Sequence, residues 1–238
     1  MTRELPPYRV RAVNTATDSE NKIHDDSVAA QYGFRGGLVP GIIVYGYMTV
    51  PVIEFARDWL ERGTFDVRFV QPFYDGELVV VRVSSEDERC MQISAEREDG
   101  NICAVATSSI LTSKRAEPPS LPQHPLPADR PVPYAGIVIP GTPLGTVTQT
   151  LDSLEPHALL RFSNELLMQN FKLGPWIHVR SEITNWSAAR LGDEVSARGR
   201  IHDRFDRKGR EFVVAEVTLV ANGNRLLQTV RHTAIYQL

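Results

Sequence analysis

The stretch Gly37-Leu-Val-Pro-Gly-Ile-Ile-Val-Tyr-Gly-Tyr-Met-Thr-Val-Pro-Val-Ile-Glu-Phe-Ala56 decides the architecture. It is almost wholly apolar over about 20 residues, the length of a membrane span. Pro40, Gly41, Gly46, Pro51 and Glu54 interrupt it. A helix that is apolar on every side also belongs at the centre of a globular core. We read Gly41–Arg62 as such a helix, bent at Pro51.

Strands surround it on both sides in sequence. Alternating patterns mark Tyr8–Asn14, Thr64–Gln71, Glu77–Ser84, Arg89–Glu98 and Asn101–Thr112. A short helix near Asp26–Tyr32 stops at Gly33, with Asp25, Asp26 and Ser27 as N-cap candidates. Farther on, a strand at Gly145–Leu151 precedes a helix at Pro156–Gln169. Strands follow at Trp176–Asn185, Glu194–Asp203, Glu211–Ala221 and Arg225–Tyr236. Asp99-Gly100 and Asn222-Gly223 read as two-residue hairpin turns, and Asp206–Gly209 as a looser one.

The same order of elements therefore occurs twice. The segment Phe69-Val-Gln-Pro-Phe-Tyr-Asp-Gly-Glu-Leu78 resembles Ile183-Thr-Asn-Trp-Ser-Ala-Ala-Arg-Leu-Gly-Asp-Glu-Val195: a strand, a bend, Gly plus acid, then a new strand. The reading is an α+β chain of two curled antiparallel sheets, each around a helix, packed as a pseudo-dimer. Nine of the 16 prolines fall between Pro118 and Pro143, which forbids a central strand or long helix there. The expected division is 1–115, a linker at 116–143, and 144–238.

Composition agrees with one folded chain of 238 residues, 42% hydrophobic and 23% charged. A net charge of -3 argues against a dedicated nucleic-acid binder. Residues 1–20 hold no apolar run of the signal-peptide kind, so a cytoplasmic protein is the expectation. If Asp99-Gly100 is a two-residue turn, Cys103 faces residue 96 and Cys90 faces residue 109, too far apart for a disulfide. No His/Cys/Asp/Glu grouping has metal-ligand spacing, and no Gly-x-Gly-x-x-Gly follows a strand, so no metal or cofactor is expected.

Chemistry concentrates in Asp18-Ser-Glu-Asn-Lys-Ile-His-Asp-Asp26, just ahead of Gly33-Phe-Arg-Gly-Gly-Leu-Val-Pro-Gly41. A titratable His near free helix-start amides and an apolar tunnel suits acid–base work on an acyl thioester. Each feature also has a plainer reading: helix caps at Asp25 and Asp26, a structural loop His at 24, ordinary turns at the glycines. Arg35 is read as meeting water. His178 and His232 are read as core-edge histidines, with Arg231 outward.

Asn21-Lys-Ile-His24, Asp26, Gly33-Phe34 and Gly36-Gly-Leu-Val-Pro-Gly41 together resemble the signature of the MaoC-like (R)-specific enoyl-CoA hydratases, over roughly Val10–Thr112. The resemblance implies a double hotdog with the active-site loop in the N-terminal unit. It implies a catalytic His24, with Asn21 pinning the loop and Gly41 presenting its N–H to the thioester carbonyl. Gly37 and Pro40 would line the substrate seat, and Asp26 would be structural. It implies an acyl-CoA or acyl-carrier-protein thioester as substrate, water as co-reactant, and a place in fatty acid metabolism. A homodimer is left open.

The departures are specific. The family's catalytic Asp falls on Ser19, flanked by Asp18 and Glu20; its Pro is Lys22, and the residue before the helix-opening Gly is Pro40. Serine cannot take a proton from water without a base of its own. Either Glu20 or Asp18 supplies the carboxylate, or His24 acts alone, or hydration is lost. The readings carried forward are a hydratase or dehydratase, a thioesterase on the same fold, and a non-catalytic acyl-thioester binder.

Overall fold

The computed structural model describes residues 3–87, 89–111 and 116–238. The N-terminal half contains β1 (Arg3–Glu4), β2 (Tyr8–Arg11), a 3-10 turn (Lys22–His24), α1 (Asp26–Gln31), α2 (Gly41–Phe55), α3 (Trp59–Arg62), β3 (Gly63–Phe69), β4 (Leu78–Asp87), β5 (Cys90–Arg97) and β6 (Ile102–Ile110). The C-terminal half contains β7 (Pro143–Thr150), α4 (Ala158–Asn170), β8 (Ile177–Asn185), β9 (Glu194–Arg207), β10 (Arg210–Ala221) and β11 (Arg225–Gln237). The end of the fifth predicted strand, at Thr112, lies outside the described residues.

All eleven strands join one sheet, in the order β1-β4-β5-β6-β3-β8-β11-β10-β9-β7, with β2 also on β4. The pairs are antiparallel throughout. Two curled sheets, each around its helix, thus share a seam at β3–β8, and the chain is an α+β double hotdog. The seam pairs Thr64 with Thr184 and Arg68 with Arg180, and Arg180 forks onto Asp66 at 2.7 and 2.8 Å.

The repeat survives at the level of single hydrogen bonds. Glu77 accepts from Tyr74 N–H at 2.9 Å, and Asp193 from Arg190 N–H at 2.7 Å. Gly76 and Gly192, both at positive φ, donate to Ala12 and Leu151. In each unit the acid after the glycine turns back to cap the bend that launches the next strand.

The two helices differ as their sequences require. Helix α2 is buried nearly all round, with Tyr45, Met48 and Val52 at 1% exposure or less. Helix α4 is amphipathic: Leu160, Phe162 and Leu166 face the core, while Glu165 does not. The long helix is shorter than the predicted Gly41–Arg62. Pro51 is accommodated within α2, but the chain breaks after Phe55 and restarts as α3. The break drops Trp59 into the core, edge-on to Phe65, with its indole N–H on Ser108 at 2.9 Å. Burial of that indole outweighs two more turns of helix.

Three turns differ from expectation. Asn222 and Gly223 are both at positive φ but lie in a three-residue loop, 222–224, between the paired Ala221 and Arg225. Asp206–Gly209 is the tight hairpin, with Lys208 and Gly209 both at positive φ (53° and 73°). At Asp99-Gly100 only Gly100 is positive, and Gly100 N–H bonds back to Arg97. An irregularity follows, so Glu96 pairs with Ile102 and Cys103 has no facing residue at 96; Cys90 does face Ser109. Neither cysteine is in a disulfide.

The proline-rich stretch is extended but not loose. Leu126 backbone presses on Gly145, where a Cβ would come within 2.5 Å, and Thr146 N–H bonds His124. No helix among the described residues is long and apolar enough to cross a membrane.

Candidate active site

The second half runs from β7 into α4 through a short connection, 151–157. The first half inserts residues 12–40 at the same place, and this insertion carries the candidate loop. Asn21 anchors it. Its Oδ1 accepts from Trp176 N–H at 3.1 Å and its Nδ2 donates to Trp176 O at 3.0 Å. A buried amide thereby satisfies both backbone groups of one residue in the other half.

His24 is held at three points. Its Nδ1 lies 2.7 Å from Leu38 O, an atom that can only accept, so the proton sits on Nδ1. Its Nε2 faces Asn21 Nδ2 at 3.3 Å, as an acceptor of the second amide hydrogen. That contact is near the outer limit for a hydrogen bond, so water can compete for the lone pair. The backbone carbonyl of His24 receives Asn14 Nδ2 at 2.9 Å. Burial lowers the pKa of His24, and the Leu38 carbonyl offsets part of that shift. The ring is therefore a neutral base with a fixed tautomer.

The glycines are set by backbone proximity. A Cβ on Gly37 would lie 2.1 Å from His24 O, which requires glycine there. Gly37 N–H donates to Asp26 Oδ1 at 2.7 Å, so Asp26 ties the glycine turn while Asp25 caps α1 through Ser27 and Val28 N–H. Pro40 takes the N-cap position of α2 and Gly41 opens it. The first amides of a helix have no intrahelical acceptor, and Gly41, the first residue of α2, lines the cavity.

That cavity, about 230 Å³, lies between the two halves. His24, Asn21, Pro40 and Gly41 line it from one side, and Asn164, Trp176 and His178 from the other. Gly37 lies outside this cavity, on the neighbouring surface cleft with Arg35 and Tyr74. Arg35 does not simply meet water: it is paired with Glu77 and lies over the Tyr74 ring.

The flanking carboxylates sit elsewhere. Glu20 is half exposed and forked onto Arg130 of the proline-rich stretch at 3.0 Å, away from the cavity. Ser19 Oγ accepts from Asn21 N–H at 3.1 Å as a turn residue. Asp18 is exposed; it and Ser19 border a second cleft that reaches His24 from the solvent side. Arg231 is exposed and His232 fully buried.

Asn14, Asn164 and Trp176 carry no distinguishing signal in the sequence, and His178, expected at the core edge, is buried. Three of them carry polar atoms without a protein hydrogen-bond partner among the described residues: Asn164 Oδ1, Trp176 Nε1 and His178 Nδ1. Each comes from the repeat that lacks the loop.

No protein-family model matches the chain, and no curated protein matches it. Solved structures do. A MaoC domain protein from Chloroflexus aurantiacus J-10-fl, described as a dehydratase, is 10% identical, with all of this chain and 95% of that one covered and a TM-score of 0.61. An acyl-CoA thioesterase II from Mycobacterium marinum is 12% identical, with 83% and 88% covered and a TM-score of 0.58. An Alicyclobacillus acidocaldarius protein of unknown function with a hot dog fold is 14% identical, with 84% and 88% covered and a TM-score of 0.57. At such identities the likeness establishes the hotdog fold of this chain and nothing finer.

Proposed function

We propose that the protein is an acyl-thioester enzyme of the hydratase or dehydratase type, with His24 as general base and acid. The observation that carries the reading is the neutral, tautomer-fixed His24 beside the opening amides of α2, on a largely apolar cavity. A 2-enoyl thioester carried by CoA or an acyl carrier protein would place its carbonyl at Gly41. His24 Nε2 takes a proton from water while the oxygen bonds to C3. The C2–C3 π pair moves onto the thioester carbonyl, and the enolate then takes the proton back at C2. The reverse sequence removes water. The loop-bearing unit (1–115) would supply the base and the unit at 144–238 the far wall.

A thioesterase is the second reading, favoured by the placement of Glu20 on Arg130. No carboxylate among the described residues lines the cavity with His24, and a single base suffices to direct water at the carbonyl carbon. The C–S bond then breaks and the thiolate takes the proton, giving acid and thiol. Solved hotdog structures of both kinds resemble the chain.

The test is crotonyl-CoA hydration, followed as loss of the conjugated enoyl absorbance, beside thiol release from crotonyl-CoA and octanoyl-CoA. Wild type and His24→Ala are compared. Hydration lost in the variant supports the first reading, thiol release lost in the variant supports the second, and full activity in His24→Ala rejects both. Binding of both esters without turnover leaves a binding protein.

A further inference from the structure

Three polar groups of the C-terminal half form a buried relay. His178 Nε2 lies 2.8 Å from Ser181 Oγ, and Ser181 Oγ lies 3.0 Å from His232 Nδ1. The two imidazoles lie tilted against each other at 4.2 Å, and Phe69 meets His178 edge-on at 4.7 Å. His178 is 7% exposed and His232 0%. His178 Nδ1 has no hydrogen-bond partner among the described residues and lies 3.0 Å from where a Cβ on Gly41 would stand. The relay ends against the first residue of α2.

The relay has two hydrogen-bonding senses. In one, His178 Nε2–H donates to Ser181, the hydroxyl donates to His232 Nδ1, and the unpartnered Nε2 of His232 carries a buried hydrogen. In the other, His232 Nδ1–H donates to Ser181, the hydroxyl donates to His178 Nε2, and the hydrogen sits on His178 Nδ1. Each sense leaves one buried N–H without a protein acceptor among the described residues, at His232 Nε2 in the first and at His178 Nδ1 in the second. Only the second places it on a residue that lines the cavity beside Gly41, where a ligand oxygen can accept it.

We propose that His178 Nδ1–H and the Gly41 amide, one from each repeat, together seat the thioester carbonyl, with Ser181 and His232 fixing the His178 tautomer. His178 is then a catalytic residue that stabilises negative charge on the carbonyl oxygen, and Ser181 and His232 are positioning residues. Burial keeps both imidazoles neutral, as a pure hydrogen-bond donor requires. The proposal rests on the acyl-thioester reading and serves hydration and hydrolysis alike, because both build charge on that oxygen.

The test is the infrared carbonyl band of crotonyl-CoA carrying carbon-13 at the thioester carbon. In the wild type, binding should lower the band relative to free ester. His178→Leu should bind the ester with the shift largely lost and turnover down by about 10²–10³-fold, with KM little changed. His178→Asn, which keeps an amide donor, should recover part of both. His24→Ala should lose turnover yet keep the shift, which separates the two histidines. A shift that persists in His178→Leu overturns the proposal and leaves the acyl-thioester reading standing. Failure of the wild type to bind crotonyl-CoA and octanoyl-CoA overturns that reading, and the proposal with it. If His178→Leu does not fold, Ser181→Ala decides: about tenfold less turnover with a weakened shift is expected, and an unchanged band overturns the proposal.

Discussion

Asn21 clamps both backbone groups of Trp176, accepting from its N–H and donating to its carbonyl, across the boundary between the two repeats. One side chain thereby fixes the candidate loop to the opposite half and offers its remaining hydrogen to His24. Asn21→Ala would leave two buried backbone groups unpaired. Each such loss costs about 1–3 kcal/mol. Urea denaturation should show a drop of several kcal/mol, and a change under about 1 kcal/mol would contradict the clamp.

Gly37 and Gly33 offer a paired test of the loop. Gly37→Ala sets a methyl against His24 O and must displace the histidine, so turnover should fall at least about a hundredfold, the low end for lost acid–base catalysis. Gly33 has φ +83° but open space around it. Gly33→Ala should cost about 1–2 kcal/mol of stability and leave turnover nearly intact. Equal turnover in the two variants would refute the geometry.

Glu20 tests whether the displaced carboxylate matters. Held by Arg130 and half exposed, it contributes through a surface pair worth about 0–1 kcal/mol. Glu20→Gln should change turnover less than about threefold, well below the 10²–10⁴ expected for loss of a general base. A loss of that larger size would show that the carboxylate swings to His24 during the reaction.

Acid stability follows from the buried histidines. Burial brings His232 down to about 3 from 6.5, and it lowers His178 as well. The unfolded chain takes up these protons near pH 6.5 while the folded chain refuses them. Stability is therefore complete above pH 6.5 and falls as pH drops towards 3, by about 1.4 kcal/mol per pH unit for His232 alone. Thermal unfolding at pH 7.5 and 5 measures it, and His232→Phe should flatten the slope. Turnover should persist somewhat below pH 6.5, because His24 is also lowered.

Much of this was readable from residue order. Period-two alternation and the Gly-acid bends located the strands of both units, because in a half-buried sheet every second side chain must be apolar. The end of α2 was not readable, because the chain breaks at 56–58 to seat Trp59 against Ser108, a contact that no local pattern announces. Lys208 hid a hairpin, since lysine seldom takes positive φ. Within the site, Asn21, His24 and Gly41 lay in one legible stretch. Asn164, Trp176 and His178 reach the cavity only after the chain has folded back, so spacing could not connect them.

The seam at β3–β8 has a mechanical consequence. With Thr64–Arg68 paired to Arg180–Thr184 and Asp66 forked by Arg180, the halves are stitched by backbone into one continuous sheet. The cavity at their junction is therefore walled by two halves of one continuous sheet. A protease nick within the proline tract would cut the tether and still leave two fragments that travel together through a sizing column.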